Sequence, residues 1–538
     1  MAELEAGLDR WRRAADEFRW EIPDPFNFGR DVVDQFPPEQ PALLWRGGEG
    51  SERRLGFGEI AEQSNRVAHL LKNLGVGPGD AIIVMLPRIP EWHIVMVGAL
   101  KAGTLVIPCS TILRPKDIAY RAEHSAAVAV VTTPDQAVLV DQVGAEAASL
   151  RHRLCVASPG AAPPDGWTDL ATALASQAAD SSASRETRAA DPALVYYTSG
   201  TTGPPKAVLH AHGYTFAQRY TSEFWHGVRA GDRVWTTSDT GWAKAAYGVI
   251  FGPWSLGAEV VLLDARFDPR TELSLLEQLA PQVFCAPPTE FRMLVKENLS
   301  GLSVPQLREC VSAGEPLNPE VIRAWRDATG LTIRDGYGQT ESILLVANYP
   351  GIPVRPGSMG LPMPGHRIEV IDAAGIPLPP GEVGDIAVHG SPPGLFREYW
   401  KDPAATEKTR RGEWYVTGDR ATRDEAGYFW FVGRDDDVII SAGYRIGPFE
   451  VESALVEHSD VVEAAAVAAP DPDRGAIVKA FVVLRDGASP SDELAGELQE
   501  HVKRSTAPYK YPRAIEFVAD LPKTVSGKIR RVELRARG

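Results

Sequence analysis

Cysteine is scarce in this 538-residue chain, and its four cysteines stand far apart, at Cys109, Cys155, Cys285 and Cys310. No Cys-x-x-Cys pair and no Cys/His cluster occurs, so the sequence predicts neither a zinc site nor a disulfide framework. Apolar neighbours such as Phe284 indicate buried thiols, which suit a reducing compartment. We therefore expect a cytoplasmic location.

Long apolar runs and a positive charge balance are also missing. No run of about 20 apolar residues occurs, so the sequence predicts no membrane span. Residues 1–5 lack the order of charged and then apolar residues that is typical of a signal peptide. The formal net charge of −15 disfavours a general nucleic-acid role, which needs a basic face, but it permits a local basic pocket for an anionic cofactor.

The length of the chain predicts at least two domains. Residues 81–86 and 104–108 are apolar runs typical of buried strands, and the stretch 90–102 between them is typical of a helix. Such a strand–helix–strand unit favours a parallel sheet. We therefore expect residues 1–434 to form a large α/β domain with several sheets.

The pattern changes after Arg434. Residues 438–538 alternate short apolar segments with helical ones, which predicts a compact α+β domain of about 100 residues. Residues 435–437 are three aspartates, and a run so polar is expected to stay outside a core. They are the predicted hinge between the two domains.

The segment 197–206 combines hydroxyls, glycines and one lysine. Glycines permit sharp turns and close approach to a ligand, and the donors and positive charge suit a polyphosphate. The segment lacks the Gly-Lys-Ser/Thr ending of a Walker loop, and a flexible surface loop is the alternative interpretation. The candidate phosphate-binding residues are Thr198, Ser199, Gly200, Thr201, Thr202, Gly203 and Lys206.

Four further motifs follow in order, at residues 337–341, 415–419, 433–437 and 522–528. Together with the first loop, this set resembles the adenylate-forming superfamily of acyl-CoA synthetases, nonribosomal adenylation domains and luciferases, and most of all the medium-chain acyl-CoA synthetase group. The resemblance implies an AMP-forming acid–thiol ligase that uses ATP, Mg²⁺ and coenzyme A. It also implies a large adenylation domain and a small, mobile C-terminal domain.

The resemblance implies roles for residues around the nucleotide. Tyr337 would stack on adenine, Thr340 would lie near the α-phosphate, and Glu341 would hold Mg²⁺, a cation that prefers oxygen ligands. Asp419 would accept the ribose hydroxyls, with Arg434 as a further donor. The alternative for each is a polar turn. The remaining candidates in the two walls of the pocket are Gly314, Glu315, Pro316, Asp335, Gly336, Gly338 and Gln339.

The C-terminal motifs imply catalysis and domain rotation. Lys528 resembles the family's catalytic lysine, whose charge would stabilise the α-phosphate as it reacts; a solvated basic tail is the alternative. Asp436 aligns with the family's hinge. The motif around Lys528 also resembles the acetylation site of related synthetases, so a lysine acetyltransferase and deacetylase are predicted partners. The candidate residues for coenzyme A are Ser441, Gly443, Tyr444 and Arg445.

The acid is less well specified. Segment 239–248 resembles the acyl-pocket segment of medium-chain synthetases, with Trp242 as the aromatic that closes the pocket and Gly338 as a second lining residue. A core tryptophan is the alternative for Trp242. Small residues around it leave room for a medium chain or an aromatic ring, and Lys244 departs from an apolar lining.

Several functions compete with a medium-chain acyl-CoA synthetase. They are an aromatic-acid (benzoate-like) CoA ligase, an adenylating enzyme that loads a carrier protein, and a catalytically silent nucleotide-binding protein. The intact set of charged motif residues argues against the last of these. His210 and His212 lie near the phosphate loop, and we expect them to pack or to form hydrogen bonds rather than to catalyse. The sequence does not decide the oligomeric state, and both a monomer and a homodimer stay open.

Overall fold

The computed structural model of this chain describes residues 2–158, 160–198, 204–434, 437–441, 444–471, 474–485, 487–523 and 529–537. Its strands are β1 (Pro41–Arg46), β2 (Glu52–Gly56), β3 (Ala81–Met85), β4 (Leu105–Pro108), β5 (Ala129–Thr132), β6 (His152–Cys155), β7 (Thr168–Asp169), β8 (Pro192–Thr198), β9 (Lys206–Ala211), β10 (Arg233–Thr236), β11 (Glu259–Leu263), β12 (Val283–Cys285), β13 (Glu309–Ala313), β14 (Ile333–Gly338), β15 (Leu344–Ala347), β16 (Leu361–Pro362), β17 (Ile368–Ile371), β18 (Gly384–His389), β19 (Glu398–Tyr399), β20 (Arg410–Arg411), β21 (Trp414–Arg423), β22 (Phe429–Arg434), β23 (Ile439–Ser441), β24 (Tyr444–Ile446), β25 (Val461–Asp471), β26 (Gly475–Leu484) and β27 (Ala514–Phe517).

Its α-helices are α1 (Ala2–Glu17), α2 (Phe28–Asp31), α3 (Phe57–Asn73), α4 (Pro90–Lys101), α5 (Pro115–Ser125), α6 (Pro134–Asp141), α7 (Leu170–Ala175), α8 (His212–Tyr220), α9 (Phe251–Ser255), α10 (Pro269–Leu279), α11 (Pro288–Leu294), α12 (Pro319–Thr329), α13 (Pro403–Glu407), α14 (Pro448–Val456), α15 (Asp492–Ser505) and α16 (Arg531–Arg535). Two π-helical turns, Thr221–His226 and Ala246–Ile250, precede α9. Within the described ranges, no helix is both long and apolar enough to cross a bilayer.

Two large sheets form the centre of the N-terminal domain. One orders its strands β19-β9-β8-β4-β3-β5-β6-β7, and the other orders them β16-β15-β14-β13-β12-β10-β11-β1-β2. In the first sheet β3 pairs in parallel with both β4 and β5, as the strand–helix–strand pattern predicts. The predicted fold class, a large multi-sheet α/β domain with a smaller C-terminal domain, is confirmed.

The first strand–helix–strand unit shows why these residues adopt this arrangement. Every residue of β3 is buried, as expected for a parallel strand with both faces covered. Helix α4 begins with Pro90. Proline has no backbone N–H, and at the first position of a helix an N–H would have no partner within the helix. It ends before Gly103, which takes φ +73° in the left-handed region. Trp92 is fully buried and ties the helix to the core.

A third sheet carries two of the sequence motifs. It contains β17, β18, β21 and β20 in that order, with β22 paired to β21, and all its neighbouring strands run antiparallel. Strand β21 contains residues 415–419, and β22 ends at Arg434. The pairing therefore brings two motifs that are distant in sequence into neighbouring strands.

The C-terminal domain is built on a long antiparallel hairpin. Strands β25 and β26 pair from Val461 to Asp471, and β27 adds in parallel to β26. Both hairpin strands are longer than the segments 464–469 and 480–484 that the apolar pattern predicts, because backbone pairing continues through residues outside those segments, such as Glu463, Pro470 and Lys479. Helices α14 and α15 cover one face of this sheet through Leu455 and Leu498, both fully buried.

The spacing of Trp11 and Phe18 predicts an amphipathic helix over 7–20 that packs against the main domain, and the helix in the structure is shifted. Helix α1 begins at Ala2 and ends at Glu17. Its Trp11 indole donates to the carbonyl of Pro362 at 2.9 Å, and the Trp20 indole beyond the helix donates to Gly365 at 2.9 Å. The predicted packing of this segment against the main domain is confirmed.

Candidate active site

The predicted phosphate loop connects two paired strands. Strand β8 ends at Thr198 and β9 begins at Lys206, and these two residues are direct partners in the antiparallel pair. The Thr198 hydroxyl lies 3.5 Å from the carbonyl oxygen of Lys206. The candidates between them, Ser199, Gly200, Thr201, Thr202 and Gly203, lie outside the described residues. The ammonium of Lys206 lies 4.5 Å from the centroid of the Tyr399 ring.

The motif that begins at Asp335 follows a buried strand. Strand β14 is buried up to Gly336, where an added Cβ would lie 2.8 Å from the Trp225 ring. Glycine is therefore needed for this close packing. The Asp335 carboxylate accepts from the N–H of Gly336 at 2.9 Å, and burial raises the pKa of Asp335 to about 8. Asp335 is thus a buried group that supports the turn into the motif.

Tyr337, Gln339 and Asp419 form one hydrogen-bonded cluster. The Tyr337 hydroxyl donates to Oδ2 of Asp419 at 2.6 Å, and Nε2 of Gln339 donates to the same oxygen at 2.7 Å. Burial, with the adjacent charge of Asp419, raises the pKa of Tyr337 well above its usual value. The Tyr415 hydroxyl donates to the Gln339 amide oxygen at 3.0 Å. The two motifs 337–341 and 415–419 are therefore joined through their side chains.

Asp419 and Arg434 face each other across neighbouring strands. They are direct partners in the antiparallel pairing of β21 and β22. Asp419 is 8% exposed, and it reaches the site from a strand whose alternate residues fill the core. Asp419 and Arg434 are fifteen residues apart in the sequence because the chain runs to the end of β21, turns, and returns along β22.

Glu341 is held by aromatic residues that the sequence interpretation did not single out. Its Oε1 accepts from the Tyr399 hydroxyl at 2.7 Å, and its carbonyl accepts from the N–H of Phe396 at 2.7 Å. In the described ranges no cluster of three or more His, Cys, Asp or Glu residues could hold a metal alone. One carboxylate beside substrate phosphates is a normal environment for Mg²⁺, so Glu341 fits that cation.

The histidines near the loop have structural roles. Nε2 of His210 donates to the carbonyl of Thr340 at 2.7 Å, and burial lowers the pKa of His210 to about 4. His212 is fully buried at the start of α8, where burial lowers its pKa to about 4 as well. Both rings are therefore neutral, and the prediction of packing or hydrogen bonding is confirmed. His210 fixes the backbone at Thr340.

The predicted second wall of the adenine pocket, Gly314 to Pro316, follows β13, the parallel neighbour of β14. Gly314 takes φ +107°, which disfavours any side chain. The Glu315 carboxylate accepts from the Thr289 hydroxyl at 2.9 Å and from Arg292 at 3.0 Å. Glu315 is therefore oriented by helix α11, on which both partners lie.

Trp242 is partly exposed, unlike the buried Trp225 and Trp254, so it is no ordinary core tryptophan. The backbone before it is tightly packed, because a Cβ at Gly241 would lie 2.0 Å from the N–H of Ser110. The Ser110 hydroxyl donates to Asp239 at 2.8 Å, which pins this segment to the end of β4. A π-helical turn, a feature frequent at functional sites, follows at Ala246.

Lys244 points into the protein. Its ammonium is buried and has no hydrogen-bond partner among the described residues. Burial raises the pKa of Glu290, and the positive charge of Lys244 opposes that rise. Lys244 also contributes, after burial and Arg334, to lowering the pKa of His226 to about 3. Lys244 therefore belongs to a buried group of titratable side chains that includes Glu290 and His226.

The predicted coenzyme A segment forms the β23–β24 hairpin, in which Ser441 pairs with Tyr444. Ser441 is buried, while Tyr444 is 52% exposed and its ring stacks on Tyr509 with centroids 4.3 Å apart. Gly443 and the side chain of Arg445 lie outside the described residues. Of this segment, the structure therefore shows a buried Ser441 and a half-exposed Tyr444.

The predicted catalytic lysine and hinge, Lys528 and Asp436, also lie outside the described residues. Lys523, at the start of the same motif, pairs with Glu463 at 2.8 Å and with Asp520 at 3.5 Å. Its ammonium is therefore engaged within the C-terminal domain.

Sequence reasoning missed Tyr399, Tyr415, Thr289 and Arg292. Tyr415 is the first residue of the motif 415–419 but was given no role of its own. The other three belong to no motif and reach the site only through tertiary contacts. The one local signal for Tyr399 is the Tyr-Trp pair at 399–400, which lies just before helix α13 and its first residue, Pro403.

Two family profiles match the chain. The AMP-binding enzyme family matches residues 30–400, and the AMP-binding enzyme C-terminal domain matches residues 450–528. The mitochondrial acyl-coenzyme A synthetase ACSM3 of Rattus norvegicus is 45% identical over 535 residues, which covers 96% of this chain and 92% of that protein. The uncharacterized acyl–CoA ligase YtcI of Bacillus subtilis (strain 168) is 46% identical over 502 residues, which covers 93% of each chain.

Solved structures give the same result. The acyl-CoA synthetase of Brucella canis is 36% identical with a TM-score of 0.77, and the match covers 98% of both chains. The anthranilate CoA ligase AuaEII, in complex with anthranoyl-AMP, is 29% identical with a TM-score of 0.88, and the match covers 97% of this chain and 98% of that one. With its ordered motifs, its two domains and these matches, this chain belongs to the AMP-binding enzyme family.

Proposed function

We propose that this protein is an AMP-forming acyl-CoA synthetase that activates a carboxylic acid with ATP and transfers the acyl group to coenzyme A. The observation that carries the proposal is the cluster of Tyr337, Gln339 and Asp419, with Arg434 as the strand partner of Asp419. An aromatic plane beside a buried carboxylate and an arginine is a suitable cradle for a nucleoside.

In the first half-reaction the substrate carboxylate attacks the α-phosphorus of ATP, and pyrophosphate leaves. Tyr337 stacks on adenine, and Asp419 accepts the ribose hydroxyls. Lys206 and Lys528 bring positive charge to the phosphates, and the backbone at Thr340, held by His210, faces the α-phosphate. Mg²⁺, when bound at Glu341, neutralises phosphate charge. In the second half-reaction the thiol of coenzyme A attacks the acyl carbonyl, and AMP leaves.

We assign residues 1–434 to the adenylation domain, 435–437 to the hinge and 438–538 to the mobile C-terminal domain. The two matched family segments, 30–400 and 450–528, support this division because the hinge falls between them. Ser441, Gly443, Tyr444 and Arg445 then reach the pantetheine channel when the domain rotates. The half-exposed side chain of Tyr444 supports this assignment, because much of its surface is open to a ligand.

For the acid, we propose a medium-chain fatty acid, with Trp242 and Gly338 lining the acyl pocket. The partial exposure of Trp242 supports this role. Each buried CH₂ contributes about 0.8 kcal/mol, so neighbouring chain lengths should differ only a few-fold. An aromatic acid is the second candidate, because the anthranilate CoA ligase and a benzoate CoA ligase from Burkholderia xenovorans LB400, at 31% identity and a TM-score of 0.82, share this fold closely.

The test is coenzyme-A-dependent AMP formation from ATP and Mg²⁺ across acetate, butyrate, hexanoate, octanoate, palmitate, benzoate and phenylacetate. Turnover should peak between C4 and C10 and should be lost in Lys528→Ala. The matched control is Lys523→Ala, which removes a lysine of the same motif that pairs with Glu463. A peak at benzoate or phenylacetate would leave the proposed mechanism unchanged and would make an aromatic acid the substrate. Acyl-AMP without thioester points to a carrier-protein acceptor, and no turnover on any acid contradicts the proposal.

Acetylation of Lys528 by a lysine acetyltransferase is a further prediction, because it removes the charge that adenylation needs. Chemically acetylated enzyme should lose ATP–pyrophosphate exchange, and full exchange would contradict both the regulation and the role of the lysine. A homodimer and a cytoplasmic location stay predictions from the sequence.

A further inference from the structure

Tyr399 contacts two charged groups of the site at once. Its hydroxyl donates to Oε1 of Glu341 at 2.7 Å, while the ammonium of Lys206 lies 4.5 Å from the centre of its ring. The tyrosine is 58 residues from Glu341 in sequence. It belongs to neither motif that it touches.

The backbone fixes Tyr399 in this position. The short strand β19 pairs antiparallel with β9, so that Tyr399 lies opposite Val208 and Glu398 opposite Leu209. The next residue, Trp400, donates its N–H to the carbonyl of Ala207 at 2.7 Å. Because β9 begins at Lys206, this pairing brings the ring beside the lysine that closes the phosphate loop.

The side chain is also packed on its far side. Tyr399 is 5% exposed, and its ring packs on Phe396 with centroids 5.1 Å apart. Phe396 in turn packs on Tyr415 at 5.4 Å and donates its N–H to the carbonyl of Glu341. A ring enclosed in this way has few alternative rotamers, so its hydroxyl and its face point in fixed directions.

The chemistry of the two contacts differs. The Tyr399 hydroxyl is the donor in its contact with Glu341, because an ionised carboxylate only accepts hydrogen bonds. The bond from Tyr399 is made to Oε1 of Glu341 and does not involve Oε2. Lys206 is exposed, and its ammonium lies over the electron-rich face of the Tyr399 ring. This attraction restrains the ammonium without a salt bridge that would compete with phosphate.

We propose that Tyr399 is a positioning residue that sets Lys206 and Glu341 at a fixed separation, so that the ammonium meets the phosphates while the carboxylate meets Mg²⁺ on the same nucleotide. The inference rests on the proposed function, which places ATP and Mg²⁺ at these two residues. It adds a residue to which no sequence motif points. Its two contacts are separable, since the hydroxyl acts on Glu341 and the ring acts on Lys206.

The test measures ATP binding by calorimetry, once with Mg²⁺ and once with excess EDTA. Tyr399→Phe keeps the ring and should weaken binding with Mg²⁺ about tenfold, while binding in EDTA stays within about twofold of wild type. Tyr399→Leu removes both contacts and should weaken binding under both conditions. The matched control is Tyr349→Phe, because Tyr349 is also 5% exposed and donates to a backbone carbonyl, that of Leu361 at 3.1 Å.

A double variant separates positioning from a general loss of stability. In a Glu341→Gln background, Tyr399→Phe should have no further effect on Mg²⁺-dependent binding. A general stability defect would persist in that background and would overturn the proposal, as would a Tyr399→Phe variant that binds ATP and Mg²⁺ as wild type does. If wild type forms no acyl-CoA but the binding results are as expected, the proposed function fails while the positioning role stands.

Discussion

Asn318 of the N-terminal domain donates from Nδ2 to the hydroxyl of Ser453 in the C-terminal domain at 3.0 Å. The other end of the same amide, Oδ1, accepts from Arg292 at 3.3 Å, and Arg292 also holds Glu315. A chain of contacts therefore runs from helix α14 to the predicted wall of the adenine pocket. The position of the small domain and the shape of the nucleotide pocket are joined through Asn318.

We expect Ser453→Ala to slow the first half-reaction. The bond belongs to the arrangement in which Tyr444, a candidate for binding coenzyme A, is half exposed, so we assign it to the first half-reaction. Losing one hydrogen bond of about 0.5–1.5 kcal/mol should lower ATP–pyrophosphate exchange about two- to tenfold. Thioester formation from supplied acyl-AMP should be unchanged. Ser505→Ala, at an exposed helix end of the same domain, is the control, and equal slowing of both half-reactions would contradict this prediction.

Asp419→Asn should weaken ATP binding and remove discrimination at the ribose. The carboxylate accepts from Tyr337 and Gln339 and would also accept the ribose hydroxyls, and charged hydrogen bonds are worth about 1.5–3 kcal/mol each. The KM for ATP should rise roughly 10- to 100-fold. Wild type should prefer ATP to its 2′-deoxy and 3′-deoxy analogues, and the variant should not. An unchanged preference in the variant would place the ribose elsewhere.

Asp436→Pro should impair one half-reaction more than the other. Proline fixes φ and removes the backbone N–H, so a hinge at this residue would be locked in one arrangement. Asp436→Ala keeps both freedoms and serves as the matched variant. The two half-reactions can be followed separately, as pyrophosphate exchange and as thioester formation from acyl-AMP. Equal loss of both in Asp436→Pro would argue against a hinge at this position.

His210 should make the stability of the protein depend on pH. Burial lowers its pKa from 6.5 to about 4, so between these values the unfolded chain binds more protons than the folded one. The free energy of unfolding should therefore rise with pH through this window, by about 2 kcal/mol between pH 5 and pH 8 for this residue. Urea unfolding of His210→Gln should lack that part of the dependence.

His389→Gln is the control for this measurement, because His389 is partly exposed beside Glu413. His93, His212, His226 and His366 are also buried, and burial lowers the pKa of each, so they contribute a shared background that both variants keep. If His210→Gln and His389→Gln showed the same pH dependence as wild type, His210 would not be neutral in the folded protein.

Local sequence is sufficient where structure depends on neighbours in the chain. Strand β3, helix α4 and strand β4 follow from apolar runs, Pro90 and Gly103, because burial of a strand and the caps of a helix are local properties. Helix α14, which the pattern predicts over 448–456, begins and ends at those residues. The predicted limits 7–20 for α1 and 464–469 for β25 were wrong by several residues, since tertiary pairing and packing decide where such elements stop.

The site shows the same division. The sequence alone determined the family, the two-domain α/β fold and the set of charged motif residues, because glycines, hydroxyls and charges at these spacings recur with the same chemistry. Only the tertiary structure decided that Tyr399 lies between Lys206 and Glu341, and that Asn318 reaches Ser453, 135 residues away. Contacts of this kind depend on strand pairing and domain placement, which bring together residues whose local sequences do not predict the contact.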